Sequence, residues 1–489
     1  MSAGPAAGVP GPLGGVLSVT DTGILWYFFI VNSAYLLLIL LASVDFARLL
    51  RRAPVAGHDE IATSRFTTPV SLIVPAYNEE AGISEAVRAM LLLRYPRLEI
   101  VVVDDGSADG TLDALREAFD LAEVPRVVPE DVPMRGPVES VWVPRVSPHP
   151  LVVVRKKNGG KADALNVGLN VARHPLVCMV DADSVLDAEA LLSAAKPLLD
   201  DPLRVVACGG VVGIANGCSV MAGRVVEVRM PRERLVRIQT VEYLRAFLLG
   251  RTGWSKVGGL LVIAGAFGVF RREAVVGVGG MDPDCIGEDA EVVVRLHRRM
   301  REQRRDYRIV FVSEPVSWSE APSTARVLAR QRRRWHRGLT EILLKHRRMI
   351  GNPRYGRVGL LALPFYVLFE LLAPVVEVLG LVLVPLSVAF GAVDPSFLWR
   401  FLLLTYAYAV LVSLVAVAAE EYAFHRFAGW RDVGQLLVAA VAENLGYRQF
   451  LAVAQLRGIW DALRGTRQVW GSMPRQGFAS APARKEDAR

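Results

Sequence analysis

The sequence has few cysteines and few lysines. Its 4 cysteines are Cys178, Cys208, Cys218 and Cys285; they show no CxxC spacing, and the first two lie in apolar runs typical of buried strands. This pattern argues against a disulfide framework and against a zinc site. Lysine provides 7 of the 57 cationic side chains, so arginine is too common for a single arginine to indicate a site.

Two sequence signals are also missing. The N-terminal stretch MSAGPAAGVPGPLGG has no cationic region followed by a short apolar run, so we expect no cleavable secretory signal. No GxGxxG motif follows the first predicted strand, which removes the main support for a dinucleotide-binding domain.

Apolar residues, by contrast, are abundant. Over 489 residues the hydrophobic fraction is 52% and the mean hydropathy is +0.32. These values exceed what a purely soluble enzyme needs. The net charge of +8 indicates basic surface that faces anions such as phosphates or lipid headgroups.

The first apolar segment predicts a transmembrane helix over residues 24–46. The stretch from Ile24 to Val44 carries no charge and spans about 30 Å as a helix, the thickness of a bilayer's hydrocarbon core. No cation precedes it, whereas Arg48, Arg51 and Arg52 follow it. The positive-inside rule therefore places residues 1–23 outside the cell and the next domain in the cytoplasm.

A second membrane region is predicted over residues 356–455. Its apolar stretches lie near 358–393, 401–419 and 433–453, and an arginine-rich tail over 456–489 is expected in the cytoplasm. An even number of passes must then follow the globular domain, so one stretch re-enters or lies in the interface. The polar residues inside these stretches pair with one another or with headgroups, or they line a path for a hydrophilic product. They are Glu370, Glu377, Glu443, Asn444, Tyr447 and Arg448.

Residues 59–320, between the membrane regions, predict an α/β domain. Short apolar runs near 70–74, 99–103, 151–154 and 176–180 are each followed by a polar turn and a helical pattern, which indicates a mostly parallel sheet. A stretch rich in proline and valine over 120–150 is typical of an irregular insertion. Ligand sites in such sheets lie beyond the carboxyl ends of the strands.

Acidic residues follow the predicted strands. Asp181 and Asp183 point the same way from an extended backbone. They can hold Mg²⁺ or Mn²⁺ together with substrate phosphates, or one of them can cap the next helix. Asp104, which precedes Gly106 by two positions, can accept hydrogen bonds from a base or a ribose, or form an Asx-turn.

Two predicted helix starts carry further candidate residues. Lys161 follows two glycines, an arrangement that serves phosphate oxygens through the helix N-terminus and the ammonium. Glu288 and Asp289 open another helix, where one acid suffices for an N-cap and a second can act as a general base.

The most informative segment is a predicted helix over residues 321–350. Gln331, Arg334 and Trp335 are related as i, i+3 and i+4 and can converge on one site, with Arg334 on a diphosphate and Trp335 on a sugar ring. The other interpretation is an amphipathic helix on anionic lipid, with its arginines on headgroups. Both interpretations can hold for one helix.

The motifs PAYNEE, VVVDDGS, NGGKADALNVG, VDADS, GED and QRRRW occur in this order along the chain. The set resembles membrane-embedded processive family 2 glycosyltransferases. It is most similar to the poly-N-acetylglucosamine synthase branch, with cellulose, chitin and hyaluronan synthases as more distant relatives. The resemblance implies a cytoplasmic GT-A (Rossmann-like) catalytic domain combined with α-helical transmembrane segments.

The resemblance also implies roles for individual residues. Tyr77, Glu79 and Asp104 would hold the uridine, Lys161 and Arg334 the diphosphate, and Asp181 and Asp183 the nucleotide and its Mg²⁺ or Mn²⁺. Asp289 would be the catalytic base, and Glu288, Gly265, Gln331 and Trp335 would meet the donor or acceptor sugar. Two departures from the family pattern are Gly287, where the family often has threonine, and the insertion over 120–150.

The implied reaction is inverting transfer of a hexosyl unit from a UDP-sugar to a growing β-linked polysaccharide. UDP-N-acetylglucosamine is the favoured donor and UDP-glucose the second choice. The implied setting is a multi-pass plasma-membrane protein that exports its product, contacts lipid and accommodates a small membrane partner subunit. The alternative is transfer of one sugar to a lipid carrier. Nucleic-acid binding through residues 330–337 is disfavoured, because an apolar stripe interrupts the basic run and no set of base-stacking aromatics accompanies it.

Overall fold

The computed structural model describes residues 12–51, 57–146, 150–221, 223–424 and 429–465. Most of the predicted tail over 456–489 and part of the predicted outer N-terminus over 1–23 therefore lie outside the described residues. The described chain combines an α/β domain with long apolar helices before and after it. The predicted α/β fold with added membrane-length helices is confirmed.

A ten-stranded sheet forms the centre of the α/β domain, in the order β3-β4-β5-β2-β1-β6-β11-β8-β12-β7. A separate hairpin consists of β9 and β10. The strands are β1 (Val70–Ala76), β2 (Leu98–Asp104), β3 (Leu121–Glu123), β4 (Val138–Pro144), β5 (Leu151–Lys156), β6 (Leu176–Met179), β7 (Val185–Leu186), β8 (Val205–Ile214), β9 (Ser219–Met221), β10 (Arg224–Glu227), β11 (Gly268–Arg271) and β12 (Arg308–Ser319).

The sheet is mixed, so the expectation of a mostly parallel one is wrong, and the stretch over 120–150 that was expected to be irregular contributes β3 and β4 to it. The strands predicted from their apolar runs, β5, β2, β1 and β6, are parallel to one another. Beyond them β11 runs antiparallel to both β6 and β8, and β4 runs antiparallel to β5. This is the GT-A-like arrangement that the resemblance implies.

The α-helices pack on the sheet and continue into the membrane region. They are α1 (Pro12–Arg51), α2 (His58–Thr63), α3 (Ile83–Leu91), α4 (Thr111–Phe119), α5 (Lys161–Val171), α6 (Ala190–Asp200), α7 (Arg234–Tyr243), α8 (Arg251–Val257), α9 (Arg272–Gly277), α10 (Glu288–Glu302), α11 (Ala325–Lys345), α12 (Leu363–Phe365), α13 (Ala373–Ala389), α14 (Pro395–Leu402), α15 (Tyr408–Phe424), α16 (Trp430–Ala442) and α17 (Arg448–Arg464). Wider π-helical turns at Leu244–Gly250, Val358–Ala362, Tyr366–Leu371, Leu403–Ala407 and Glu443–Tyr447 join several of them, and short 3₁₀ turns form at Arg347–Met349 and Pro353–Tyr355.

Each face of the sheet buries its own apolar cluster, because successive strand residues point to opposite faces. Leu72 and Val74 of β1 pack with residues of α3, α4 and α6. Ile73, between them, packs in a cluster that includes α5, α10 and residues of α1 and α15. The second cluster therefore joins the catalytic sheet to the apolar helices in one continuous core.

Three helical segments of the described chain are long and apolar enough to cross a membrane: Gly15–Ser43, Val358–Ala389 and Trp399–Ala419. The fourth predicted stretch, 433–453, falls on α16 and α17. Its helix is interrupted at Leu445 and Gly446, where φ and ψ leave the helical region and Gly446 takes a φ of 85°. The break lies among the polar residues Glu443, Asn444 and Arg448 of this stretch.

Candidate active site

The carboxyl ends of the parallel strands bring the predicted turns together. Ala76 pairs with Asp104 across β1 and β2, and Ile73 pairs with Met179 across β1 and β6. The segments that follow these strands therefore open at one edge of the sheet, as the general rule for α/β ligand sites requires.

Lys161 lies at the centre of this edge. Its ammonium forms an ion pair with Asp181 and stands 3.6 Å from Glu288 Oε1. The backbone N–H of Gly265 donates to Asp289 Oδ2 at 2.9 Å. A methyl group on Gly265 would stand 3.0 Å from Lys161 Nζ, so a larger residue there would crowd the ammonium. Five predicted site residues thus meet, from segments far apart in the sequence.

Burial and neighbouring charges shift the pKa values of Glu288 and Lys161. Glu288 is 6% exposed, and burial, with Asp289 and Asp181 nearby, raises its pKa to about 7 even though Lys161 acts in the opposite direction. Burial alone would lower the pKa of Lys161, but the carboxylates of Asp181 and Glu288 raise it above its ordinary value. Lys161 is therefore a permanent cation here.

The loops after β1 and β2 are bonded to each other and carry the predicted uridine residues. The backbone N–H of Asn78 donates to Ser107 Oγ at 3.0 Å, and that of Glu79 donates to Thr111 Oγ1 at 2.9 Å. Tyr77, beside them, is half exposed. These hydrogen bonds therefore hold the two loops together at this end of the sheet edge.

The two carboxylate oxygens of Asp104 have different surroundings. Its Oδ1 accepts from the backbone N–H of Ser107 at 3.0 Å, which closes a turn. Its Oδ2 is buried and has no hydrogen-bond partner among the described residues. A buried carboxylate oxygen without a partner is costly, so a ligand donor such as a base N–H would satisfy it.

Asp105, the second of the two adjacent acids at the end of β2, has a structural role. Its carboxylate accepts from the backbone N–H groups of Gly159 and Gly160 at 3.0 and 2.8 Å, and from the buried Lys156 ammonium at 2.7 Å. The two glycine amides ahead of α5 are thus already bonded. Of the groups that the sequence predicted for phosphate oxygens, this leaves the Lys161 ammonium.

Asp181 and Asp183 follow β6 and remain partly exposed. Neither of them caps α6, whose N-cap position is Glu189; Asp187 Oδ1 accepts from the N–H of Glu189 in the turn just before that helix. No group of three His, Cys, Asp or Glu side chains with metal-binding geometry occurs among the described residues. Two carboxylates still suit Mg²⁺ or Mn²⁺, because these ions complete their shell with water and substrate phosphates.

Helix α11 packs directly against the segment that carries the acids. A methyl group on Gly338 would stand 3.1 Å from Gly287 N, so the two backbones nearly touch. Gln331, Trp335 and Gly338 share one helix face at i, i+4 and i+7, and Trp335 lies only about 4.5 Å along the axis from Gly338. Gly338 of this face therefore packs against the residue that immediately precedes Glu288.

The exposed part of that face suits a sugar. Trp335 is 39% exposed, and the guanidinium of Arg332 lies 4.4 Å from its ring centroid. Gln331 is buried, and its Oε1 has no hydrogen-bond partner within the described ranges. Arg334 is partly buried in the same stretch.

Three of the neighbouring arginines of α11 pair with acids of the protein. Arg332 pairs with Glu242 at 2.8 Å, Arg333 pairs with Asp461, and Arg337 pairs with Glu341 at 2.8 Å. These ion pairs offset part of the positive charge of the helix.

The polar residues of the membrane region bond across helices. Tyr35 OH donates to Glu370 Oε1 at 2.5 Å, and Gln449 Nε2 donates to Glu377 Oε1 at 3.0 Å. Glu443 accepts from Arg245 at 2.8 Å and from Ser413 at 2.9 Å. Tyr447 and Arg332 both donate to Glu242, which links this set to α11.

Comparisons with known proteins agree with the arrangement. The description "Glycosyl transferase family 2" matches residues 71–135, and "Glycosyl transferase family group 2" matches residues 176–414. Poly-beta-1,6-N-acetyl-D-glucosamine synthase of Staphylococcus aureus (strain COL) is 28% identical over 278 residues, which are 56% of this chain and 56% of that protein. The probable glycosyltransferase YdaM of Bacillus subtilis is 28% identical over 281 residues, with the same coverage. The match spans little more than half the length of these relatives.

Two solved structures of glycosyltransferases align with this chain at TM-scores below 0.5. The mannosyltransferase PcManGT from Pyrobaculum calidifontis, in complex with GDP-Man and Mn²⁺, gives a TM-score of 0.49 at 22% identity and covers 91% of this chain and 100% of that chain. S. aureus TarS 1-349 in complex with UDP-GlcNAc gives a TM-score of 0.33 at 17% identity and covers 74% of this chain and 93% of that chain.

Proposed function

The chain is a member of glycosyltransferase family 2, and from this premise we propose that it transfers a hexosyl unit from a UDP-sugar to a growing β-linked polysaccharide. The observation that carries the proposal is the meeting of Lys161, Asp181 and Asp289 at one edge of the sheet, where Gly338 of α11 packs against Gly287. UDP-N-acetylglucosamine is the favoured donor, in line with the names of the similar synthases, and UDP-glucose is the second.

Asp289 is the proposed general base. The N–H of Gly265 holds its Oδ2, so the carboxylate has a fixed orientation. It takes the proton of the acceptor hydroxyl while the acceptor oxygen forms a bond to the anomeric carbon and the bond from that carbon to UDP breaks. Attack opposite the leaving group inverts the anomeric centre, so an α-linked donor gives a β-linked product.

The remaining proposed roles are those that the family resemblance implies. Lys161, assisted by Arg334, holds the diphosphate and stabilises its growing charge. Tyr77, Glu79 and Asp104 hold the uridine, and Glu288, Gln331 and Trp335 contact the sugars. Asp181 and Asp183 would hold Mg²⁺ or Mn²⁺, which when bound neutralises diphosphate charge. In the described structure the Lys161 ammonium forms an ion pair with Asp181 and so offsets the charge of that carboxylate.

The proposal includes a membrane topology. In the part of the chain that the structure describes, one candidate span precedes the domain over 59–320 and two follow it, and this even number supports the proposed cytoplasmic tail. The N-terminus would then lie outside and the catalytic domain in the cytoplasm of a plasma-membrane protein. The polar groups from Glu242 through Arg245 and Glu443 to Glu370 are the proposed lining of an export path.

Product size tests the proposal. Purified full-length protein in lipid nanodiscs is incubated with Mn²⁺ and radiolabelled UDP-N-acetylglucosamine or UDP-glucose, and the product is sized and digested with a β-specific hexosaminidase or glucosidase. We expect a polymer from UDP-N-acetylglucosamine that the hexosaminidase degrades. A lipid that carries one sugar would establish the alternative reaction, and no transfer from either donor would overturn the assignment.

A further inference from the structure

A lysine with no exposed surface lies directly under the candidate site. Lys156, the last residue of β5, is 0% exposed. Its ammonium donates to Asp105 Oδ1 at 2.7 Å and to the carbonyl oxygen of Lys157 at 2.5 Å. It also lies 2.8 Å from Asp163 Oδ2, so two buried carboxylates share one cation.

Each carboxylate in this cluster holds a different segment beside Lys161. Asp105 accepts the N–H groups of Gly159 and Gly160, the two residues immediately before Lys161. Asp163 Oδ1 accepts the N–H of Arg135 at 2.7 Å and so fastens the insertion over 120–150 to the first turn of α5. The cluster therefore fixes the loop and the helix that bear Lys161.

The packing around the cluster leaves no room for the loop to shift. A methyl group on Gly159 would stand 2.2 Å from Asp163 Oδ2 and 2.9 Å from Lys156 Nζ. Gly106 adopts a φ of +68°, and a methyl group there would stand 2.7 Å from Asn158 N. Both glycines let the backbone approach the buried charges closely.

Buried ion pairs contribute little net stability compared with apolar groups of the same volume, because taking the charges out of water is costly. Their best-attested use is to specify one geometry. We propose that Lys156 and Asp105 are positioning residues that set where the Lys161 ammonium stands relative to the diphosphate of the donor. This inference rests on the proposed function, in which Lys161 is a phosphate ligand.

The proposal predicts weaker binding of the diphosphate part of UDP and unchanged binding of its uridine part. In Asp105→Asn, the amide nitrogen donates hydrogen bonds and cannot accept them. Lys156 and the two glycine N–H groups therefore no longer all find an acceptor. Lys161 then loses its fixed position. We expect UDP affinity to fall roughly tenfold or more, as for the loss of one charge-assisted contact, with uridine affinity unchanged.

Two further variants separate positioning from general damage. Gly159→Ala displaces the same loop without a change of charge, and we expect the same selective loss of UDP affinity. Glu99→Gln is the matched control, because Glu99 is a buried carboxylate at the other end of β2, where it accepts from Ser71 Oγ at 2.7 Å. The control is expected to keep the wild-type ratio of UDP to uridine affinity.

The measurement is the pair of inhibition constants of UDP and uridine against sugar transfer by the full-length protein in nanodiscs, with thermal unfolding followed in parallel. Equal losses for UDP and uridine, or unfolding of both Asp105→Asn and Gly159→Ala, would overturn the positioning role. Lys161→Gln serves as the reference for the premise. If Lys161→Gln retains full UDP affinity, the phosphate assignment of the proposed function fails, whereas a loss in that variant without one in Asp105→Asn defeats the positioning role alone.

Discussion

Replacement of the proposed base tests the chemistry most directly. Asp289→Asn keeps an oxygen that can accept from the Gly265 N–H at 2.9 Å, so the side chain retains its orientation while it loses the ability to take a proton. General-base assistance contributes about 10² to 10⁴ in rate, so we expect kcat to fall by that factor. UDP affinity is expected to stay the same or rise slightly, because a negative charge near Lys161 disappears.

The assay is single-turnover transfer with purified protein, together with calorimetric titration of UDP. Asp284→Asn is the control: it is the same chemical change five positions earlier, at an exposed residue that pairs with Arg135 at 2.5 Å. We expect wild-type kcat from this control. Unchanged kcat in Asp289→Asn would transfer the role of base to another group, and a parallel loss of UDP binding would show that Asp289 shapes the site instead.

Three other outcomes are expected. Asp183→Ala should lose both transfer and stimulation by Mn²⁺, and Mn²⁺-dependent turnover in a metal titration of the variant would contradict a metal role. Trp335→Ala should raise the KM for acceptor oligosaccharide roughly tenfold with UDP affinity intact, whereas Trp335→Phe should retain most of the stacking, as acceptor titration can show. Burial alone would raise the pKa of Glu291, but His346, Arg295 and Lys345 lower it to about 2. Because this folded-state pKa lies below the ordinary value, about 3 kcal/mol of stability is present above pH ~4.5 and is lost as the pH falls towards 2, which melting curves of wild type and Glu291→Gln between pH 7 and 3 can measure.

Much of the catalytic edge was predictable because strand ends are local features. The runs near 70–74, 99–103, 151–154 and 176–180 correspond to β1, β2, β5 and β6, and the turns after them carry Tyr77, Asp104, Lys161 and Asp181. The roles of these residues stay predictions. What the structure adds is that Lys161, Asp181, Glu288, Asp289 and Gly265 lie together.

Other features had no local signal. Strand β11 inserts antiparallel between β6 and β8, a pairing that depends on residues tens of positions away. Arg332, Arg333 and Arg337 matched a lipid-facing row by spacing alone, but their partners Glu242, Asp461 and Glu341 approach from the rest of the fold or the next helical turn.

Apolar periodicity and turn chemistry in the sequence determined where strands and membrane-length helices form, because those preferences act over a few residues. Only the tertiary structure decided which charges meet. Asp105 and Lys156 lie 51 positions apart and share a buried ion pair because two parallel strands place their ends side by side. Burial then raises the pKa of Glu288 to about 7, a property that exists only when the surrounding chain has excluded water.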